Sequence, residues 1–246
     1  MKLDWLTAQP IAHRGLHDGV SVIENTASAF RAAIDAGFAI ETDLQITSDG
    51  EAVVHHDFAL GRLTLGSRQL AAMTAVGLKE VPFKNTPDRI ITLGEFLDLV
   101  GGRTPLLIEL KSRFDGDLRL TRRTAEVLRS YKGPVALQSF DPAPLTALRA
   151  LAPQLPRGIV AERHYVDSEW RNLTPRQKRA LAFLTHRRRS RPHFVAYNVN
   201  DLPALGPWIA RHIFRLPLLA WTVRTTAQQV RAQRYADQMI FEGFRP

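Results

Sequence analysis

The chain has 246 residues, 45% of them hydrophobic, which suits one domain with a full core, and it lacks the run of about 18 apolar residues that a membrane span requires. It contains no cysteine, so disulfides, thiolate catalysis and thiolate metal sites are excluded, and any metal must be held by carboxylate, imidazole or carbonyl groups, which favours a hard ion. The formal charge of +9 lies largely in the second half, in runs such as Arg187-Arg188-Arg189-Ser190-Arg191, and reads first as a solvated basic face, with attraction of nucleic acid, anionic lipid or small anionic substrates as the functional reading. The N-terminus, Met1-Lys2-Leu3-Asp4-Trp5-Leu6, has no apolar stretch of the ~7–15 residues found in a signal peptide, and the chain reads as cytoplasmic.

Short apolar runs alternate with amphipathic stretches, the pattern of repeated βα units and a parallel sheet. In chain order the expected strands are Pro10–His13, Phe38–Asp43, Pro105–Glu109, Pro134–Gln138, Gly158–Ala161, Phe194–Tyr197, Leu216–Thr222 and Gln238–Phe241. Gly37 marks a helix stop before the second strand. Ala52–His55 breaks the alternation. Only Ser48-Asp49-Gly50 separates it from Leu44-Gln45-Ile46, too short for a parallel crossover, so it predicts an antiparallel hairpin. Residues 57–91 form an insertion before the next helix, which begins at a Thr92-x-x-Glu95 capping box. Asp141-Pro142 and Thr174-Pro175 start two more helices, and Leu145, Leu148 and Leu151 are expected on one apolar helix face. Eight evenly spaced units predict a single-domain (β/α)8 TIM barrel, with an open doubly wound sheet as the other architecture of this pattern.

In such a barrel, functional groups gather where the strands end. Those ends read His13-Arg14-Gly15, Glu41-Thr42-Asp43, Glu109-Leu110-Lys111, Ser139-Phe140 and Trp221-Thr222, and the hairpin ends in His56-Asp57. Glu41 and Asp43 are two apart on a strand and point the same way. With Glu109 they make a set of oxygen ligands suited to one divalent cation, Mg2+ or Ca2+. Arg14 and Lys111 are the candidates to bind phosphate oxygens. His13 and His56 are the candidates for proton transfer, with Asp57 orienting its neighbour. Trp221 offers an apolar wall to the organic part of a substrate. His55 alternates away from His56 and is read as structural, as are His17, His164, His186, His193 and His212. By spacing alone, Glu24-Asn25-Thr26 is an ordinary helix start.

Taken in order, His13-Arg14-Gly15, Glu24-Asn25-Thr26, Glu41-x-Asp43, His56-Asp57, Ile108–Lys111, Ser139-Phe140 and Trp221-Thr222-Val223 resemble the glycerophosphodiester phosphodiesterase family across about residues 10 to 242. The resemblance implies a phosphoric diester hydrolase on a barrel. Such an enzyme splits deacylated phospholipids such as glycerophosphocholine into glycerol 3-phosphate and an alcohol. It further implies His13 and His56 as acid and base, and Glu41, Asp43 and Glu109 as ligands of Mg2+ or Ca2+. Arg14 and Lys111 would contact phosphate, and the glycerol 2-hydroxyl would act as internal nucleophile, giving a cyclic phosphate that water opens. The partner it implies is a small phosphodiester, with no nucleic acid and no integral membrane association. Three features depart from the family: Phe241-Glu242-Gly243 stands where a Thr-Asp pair is usual, Ile91 stands where a proline usually precedes the helix, and the segment 162–193 is long and basic. The other readings are a lysophospholipase D-like hydrolase and a non-catalytic binder of phosphoryl ligands.

Overall fold

The computed structural model describes residues 3–166 and 170–246. The chain runs through α1 (Asp4–Thr7), β1 (Ile11–Ala12), α2 (Ala27–Asp35), β2 (Ala39–Ile46), β3 (Ala52–Val54), α3 (Ala75–Lys79), α4 (Leu93–Val100) and β4 (Leu106–Leu110). It continues with α5 (Arg119–Val127), β5 (Val135–Ser139), α6 (Pro142–Leu151), β6 (Arg157–Ala161), α7 (Pro175–Ala182), α8 (Arg187–Ser190), β7 (Phe194–Asn198), α9 (Leu205–His212), β8 (Leu218–Val223), α10 (Thr226–Tyr235) and β9 (Gln238–Phe241). All eight expected strands are present, each within three residues of its expected ends. The strand order is β1-β9-β8-β7-β6-β5-β4-β2-β3, with β1 also pairing β2. This is the strand order of a (β/α)8 barrel, with β3 added antiparallel on β2.

Prolines punctuate the strand starts. Pro105, Pro134, Pro156 and Pro217 each stand just before or at the foot of a strand, where no N–H is needed. Each still lends its carbonyl to the neighbouring strand: Ile40 N–H to Pro105, Leu106 to Pro134, Leu137 to Pro156 and Val195 to Pro217, at 2.9–3.0 Å.

The chain divides into two compact units. One comprises Ile11–Lys111 with Leu118–Val135. Its strand β2 is buried almost throughout, as expected of a strand covered on both faces. The β2–β3 hairpin pairs Leu44 with Val54 and Ile46 with Ala52, confirming the antiparallel turn. The insertion has a core of its own, with Leu60, Leu70, Leu78, Phe83 and Ile90 packed on Ile23 and Val53. Burying such side chains contributes roughly 1.5–3 kcal/mol each, which explains how so long a connection stays ordered. Thr92 and Glu95 form the expected capping box at the start of α4.

The other unit comprises Met1–Pro10, Ser112–Asp117 and Ala136–Pro246. Asp141 caps α6 and Thr174 caps α7, both as expected. Gly158 on β6 leaves room for the Phe194 ring: a Cβ there would lie 2.1 Å from it. One expectation needs correction. Leu145 and Leu148 are fully buried, but Leu151 is 42% exposed. Each step of three residues turns a helix through about 300°, so three such positions drift around the axis instead of forming one face.

Candidate active site

The site lies in the first unit and is built from β2 outward. Glu41, Asp43 and Gln45 alternate along β2 onto one face. Asp43 lies directly beside Glu109 in the parallel β2–β4 register. As a result Glu41, Asp43 and Glu109, all buried, each offer a carboxylate oxygen within 4.8 Å of the others. Three buried acids so close cannot all stay charged without compensation. Burial first, then Asp43 and Glu109, push Glu41 well above the usual carboxylate range. Burial also opposes charge on Asp43, but Lys111, His56, Arg14 and His13 outweigh it and hold Asp43 ionised.

Two cations brace Asp43. Lys111 Nζ is 3.6 Å from Asp43 and 3.0 Å from Glu109. Arg14 Nε lies 3.1 Å from Asp43 as an ion pair without a well-formed hydrogen bond. Its Nη1 donates to Glu24 at 2.7 Å, and its backbone N–H donates to Glu41 at 3.1 Å. That backbone contact depends on a left-handed turn, with φ of 56° at Arg14 and 82° at Gly15. Gly15 is required twice over, since a Cβ there would lie 2.9 Å from the Ala29 backbone. His13 Nε2 sits 3.9 Å from Glu41, beyond hydrogen-bonding distance.

The tripeptide Glu24-Asn25-Thr26 does more than start a helix. Thr26 is the N-cap of α2, as its sequence suggests. Asn25, buried with φ of 56°, donates to Asp43 at 2.9 Å and accepts from the Thr42 hydroxyl at 2.7 Å. Glu24 bridges two arginines. Besides Arg14 it accepts from Arg62 at 2.7 and 3.1 Å. Arg62 also grips Asp57 at 2.7 and 3.1 Å, and Asp57 in turn holds His56 Nδ1 at 2.8 Å. The Gln45 amide donates to the His56 carbonyl at 2.8 Å, fixing the backbone of that residue to β2. The contact between Asp57 and His56 is the one the sequence suggested; Glu24 and Asn25 lie in a tripeptide that the resemblance included without a site role, and Arg62 and Gln45 were not singled out by sequence.

The charges fit a divalent ion. With all five ionised, the carboxylates of Glu24, Glu41, Asp43, Asp57 and Glu109 exceed the three fixed cations, Arg14, Arg62 and Lys111, by two negative charges, the excess that a divalent ion would balance and that otherwise favours a bound proton on Glu41. The donor set at the centre is all oxygen, as Mg2+ and Ca2+ prefer.

Residues 13–242 match the Glycerophosphoryl diester phosphodiesterase family. This chain belongs to that family. Among curated relatives, a glycerophosphodiester phosphodiesterase of Caldanaerobacter subterraneus subsp. tengcongensis is 32% identical over 160 residues, covering 61% of this chain and 65% of that protein. One of Bacillus subtilis is 31% identical over 170 residues, covering 59% and 57%. The match thus spans less than two thirds of either relative. In solved structures, a phosphodiesterase of Oleispira antarctica in complex with the product sn-glycerol-3-phosphate superposes with a TM-score of 0.77, at 20% identity, over 97% of this chain and 94% of that one. A glycerophosphoryl diester phosphodiesterase of Silicibacter pomeroyi gives 0.75 at 24% identity, over 95% and 89%. These structures share the fold of this member of the glycerophosphoryl diester phosphodiesterase family.

The remaining expected residues fall as follows in this family member. His55 is buried, its N–H bonded to the Asp43 carbonyl, and burial pushes its imidazole down to about 4, in keeping with a structural role. Trp221, in the second unit, packs edge-on against Phe140 with ring centroids 5.3 Å apart, and Phe140 contacts Trp170 at 4.8 Å. Glu242, where the glycerophosphoryl diester phosphodiesterase family often has an aspartate, pairs with Arg224 at 3.0 Å. No helix among the described residues is long and apolar enough to cross a membrane.

Proposed function

We propose that this chain is a metal-dependent phosphodiesterase that hydrolyses glycerophosphodiesters to glycerol 3-phosphate and an alcohol. The observation that carries the reading is the meeting of Glu41, Asp43 and Glu109 within 4.8 Å, in a chain whose family match begins at His13 and ends at Glu242. The glycerol 3-phosphate held by the Oleispira antarctica phosphodiesterase supports the product side of the reaction.

Glu41, Asp43 and Glu109 would hold one Mg2+ or Ca2+, which when bound supplies positive charge against a phosphoryl oxygen. Arg14 and Lys111, both within 3.6 Å of Asp43, are the cations that share the remaining charge of the phosphoryl group. With His56 Nδ1 taken up by Asp57, its Nε2 is the atom left to exchange a proton with substrate. His13 is the second proton-exchanging group. One imidazole takes the proton from the glycerol 2-hydroxyl as its oxygen attacks phosphorus; the other gives a proton to the departing alcohol oxygen. Water then opens the cyclic phosphate with the two roles reversed.

Turnover of glycerophosphocholine, measured with EDTA and again after adding back Mg2+ or Ca2+, tests this. Loss and recovery of activity is the expected result. Turnover that ignores EDTA would remove the acidic site from the mechanism, and no turnover of any diester would leave a binder of phosphoryl ligands.

A further inference from the structure

The second unit carries a surface that the proposed reaction does not use. Between Trp170 and Ala236 the chain has thirteen arginines and lysines and one acid, Asp201. That acid is already engaged by the Arg163 backbone N–H at 2.7 Å. Arg176, Arg179, Arg187, Arg188 and Arg189 form no ion pair among the described residues.

Large apolar side chains stand exposed in the same region: Phe183 at 53%, Leu205 at 62%, Trp208 at 50%, Ile213 at 61% and Phe214 at 41%. They are neighbours. Leu205, Trp208 and His212 fall within one stripe of α9, and the Trp208 and His212 rings stack at 5.1 Å. The start of α9 touches the end of α7: a Cβ on Gly206 would lie 3.4 Å from the Phe183 backbone. Just past α9, the Phe214 ring is covered by the Arg187 guanidinium at 3.3 Å. Beside Phe183, an open groove of about 420 Å³ is lined by Arg176, Arg179, Ala180, Phe183 and Thr185. Its floor is apolar and its rim carries two guanidinium groups.

We propose that this face, formed by α7, α8, α9 and Ile213-Phe214, docks the protein on an anionic lipid bilayer. Charge complementarity identifies the partner. Arginines without an ion pair among the described residues are drawn to acidic headgroups, each contributing about fivefold in affinity near such a surface. The groove between Arg176 and Arg179 fits a lipid phosphate, which a guanidinium fork grips through two oxygens. The apolar residues distinguish a bilayer from a nucleic acid. Leu205 and Ile213 gain nothing from a phosphodiester backbone but lose water when they enter the acyl boundary, and a tryptophan with its N–H outward is at home at that depth. The attachment is peripheral.

The test is flotation of the full chain with vesicles at physiological ionic strength. Binding is expected to phosphatidylcholine vesicles containing phosphatidylglycerol and not to phosphatidylcholine alone. Trp208→Ser with Phe183→Ser, and separately Arg176→Gln with Arg179→Gln, should each weaken binding tenfold or more while thermal melts stay unchanged. Should a variant fail to fold, quenching of Trp208 in the wild type by brominated lipid, with Trp208→Phe as the blank, reads insertion directly. Equal binding to neutral vesicles, no binding to anionic ones, or no quenching of Trp208 would overturn the proposal. So would displacement by duplex DNA that binds the wild type and the Trp208→Ser Phe183→Ser variant equally, since the surface would then serve nucleic acid.

Discussion

Arg62 reaches back 38 residues along the chain to Glu24 and closes on it with two hydrogen bonds, of 2.7 and 3.1 Å. The same guanidinium closes a second fork on Asp57, the acceptor of His56 Nδ1. The orientation of His56 therefore depends on a residue that need not touch substrate. Arg62→Ala should lower kcat for glycerophosphocholine roughly tenfold or more, with a smaller change in KM, as outer partners of a site typically do. Arg62→Lys should restore little, because an ammonium cannot span two carboxylates with two forks. Full activity in either variant, with folding intact, removes Arg62 from this role.

His56→Ala should cut turnover by about 10² or more, the contribution of a positioned acid or base. The variant should fold normally, since the His56 backbone is held through its carbonyl by Gln45, whatever its side chain. Near-normal activity rejects the assignment of His56.

Glu109→Gln keeps the shape of the side chain and removes one charge from the acidic set. The ion concentration giving half-maximal activity should rise at least tenfold. An unchanged titration with Mg2+ or Ca2+ takes Glu109 out of the site.

Gly15→Ala tests the backbone. A Cβ at this position meets φ of +82° and lies 2.9 Å from the Ala29 backbone. Strain and overlap together should destabilise the protein by about 2 kcal/mol or more. Urea denaturation reads this directly; a midpoint equal to wild type contradicts the close approach of α2.

Two histidines make stability fall with acid. Burial pushes His186 down to about 4, and His55 likewise. Both carry a depressed value in the folded state, so between the ordinary value of 6.5 and about 4 the unfolded chain binds more protons. Stability should be fully present above that window, decline as the pH falls through it, and lose on the order of 3 kcal/mol for each histidine. His186→Asn should flatten part of the slope in urea midpoints measured across this range. An unchanged slope would place His186 in water.

Much of the fold was legible because it rests on local rules. Apolar runs bounded by Pro105, Pro134 and Pro217, and the Thr92-x-x-Glu95 box, act through residues close in sequence, and so does the three-residue turn that forces the β2–β3 hairpin. The acids were legible for a related reason: Glu41 and Asp43 share a face by alternation alone. Arg62 was not, because it lies in an insertion without periodicity and its partners are set by packing. Asn25 was hidden by its backbone. Its left-handed conformation turns the side chain onto Asp43, and nothing in Glu24-Asn25-Thr26 distinguishes that from the cap Thr26 also makes. Leu151 failed for a geometric reason, as the drift of a three-residue repeat carries it off the face of Leu145.

The insertion begins and ends at one place. Val53 bridges Thr92 in an antiparallel pair, and the Val54 N–H donates to the Ile91 carbonyl at 2.9 Å. Apart from His56, Asp57 and Arg62, and the bonds that Met73 and Ala75 make to Ser48 and Asp49 in the turn after β2, the stretch between those staples can change in length at little cost, since the cost of closing a loop grows only slowly with its length. Among the described residues of the insertion, Asp57 and Arg62, near its start, carry the hydrogen bonds to His56 and Glu24. The rest is a cassette, and it is the position in this chain where a graft from another protein has the best prospect of leaving Glu41, Asp43 and Glu109 in register.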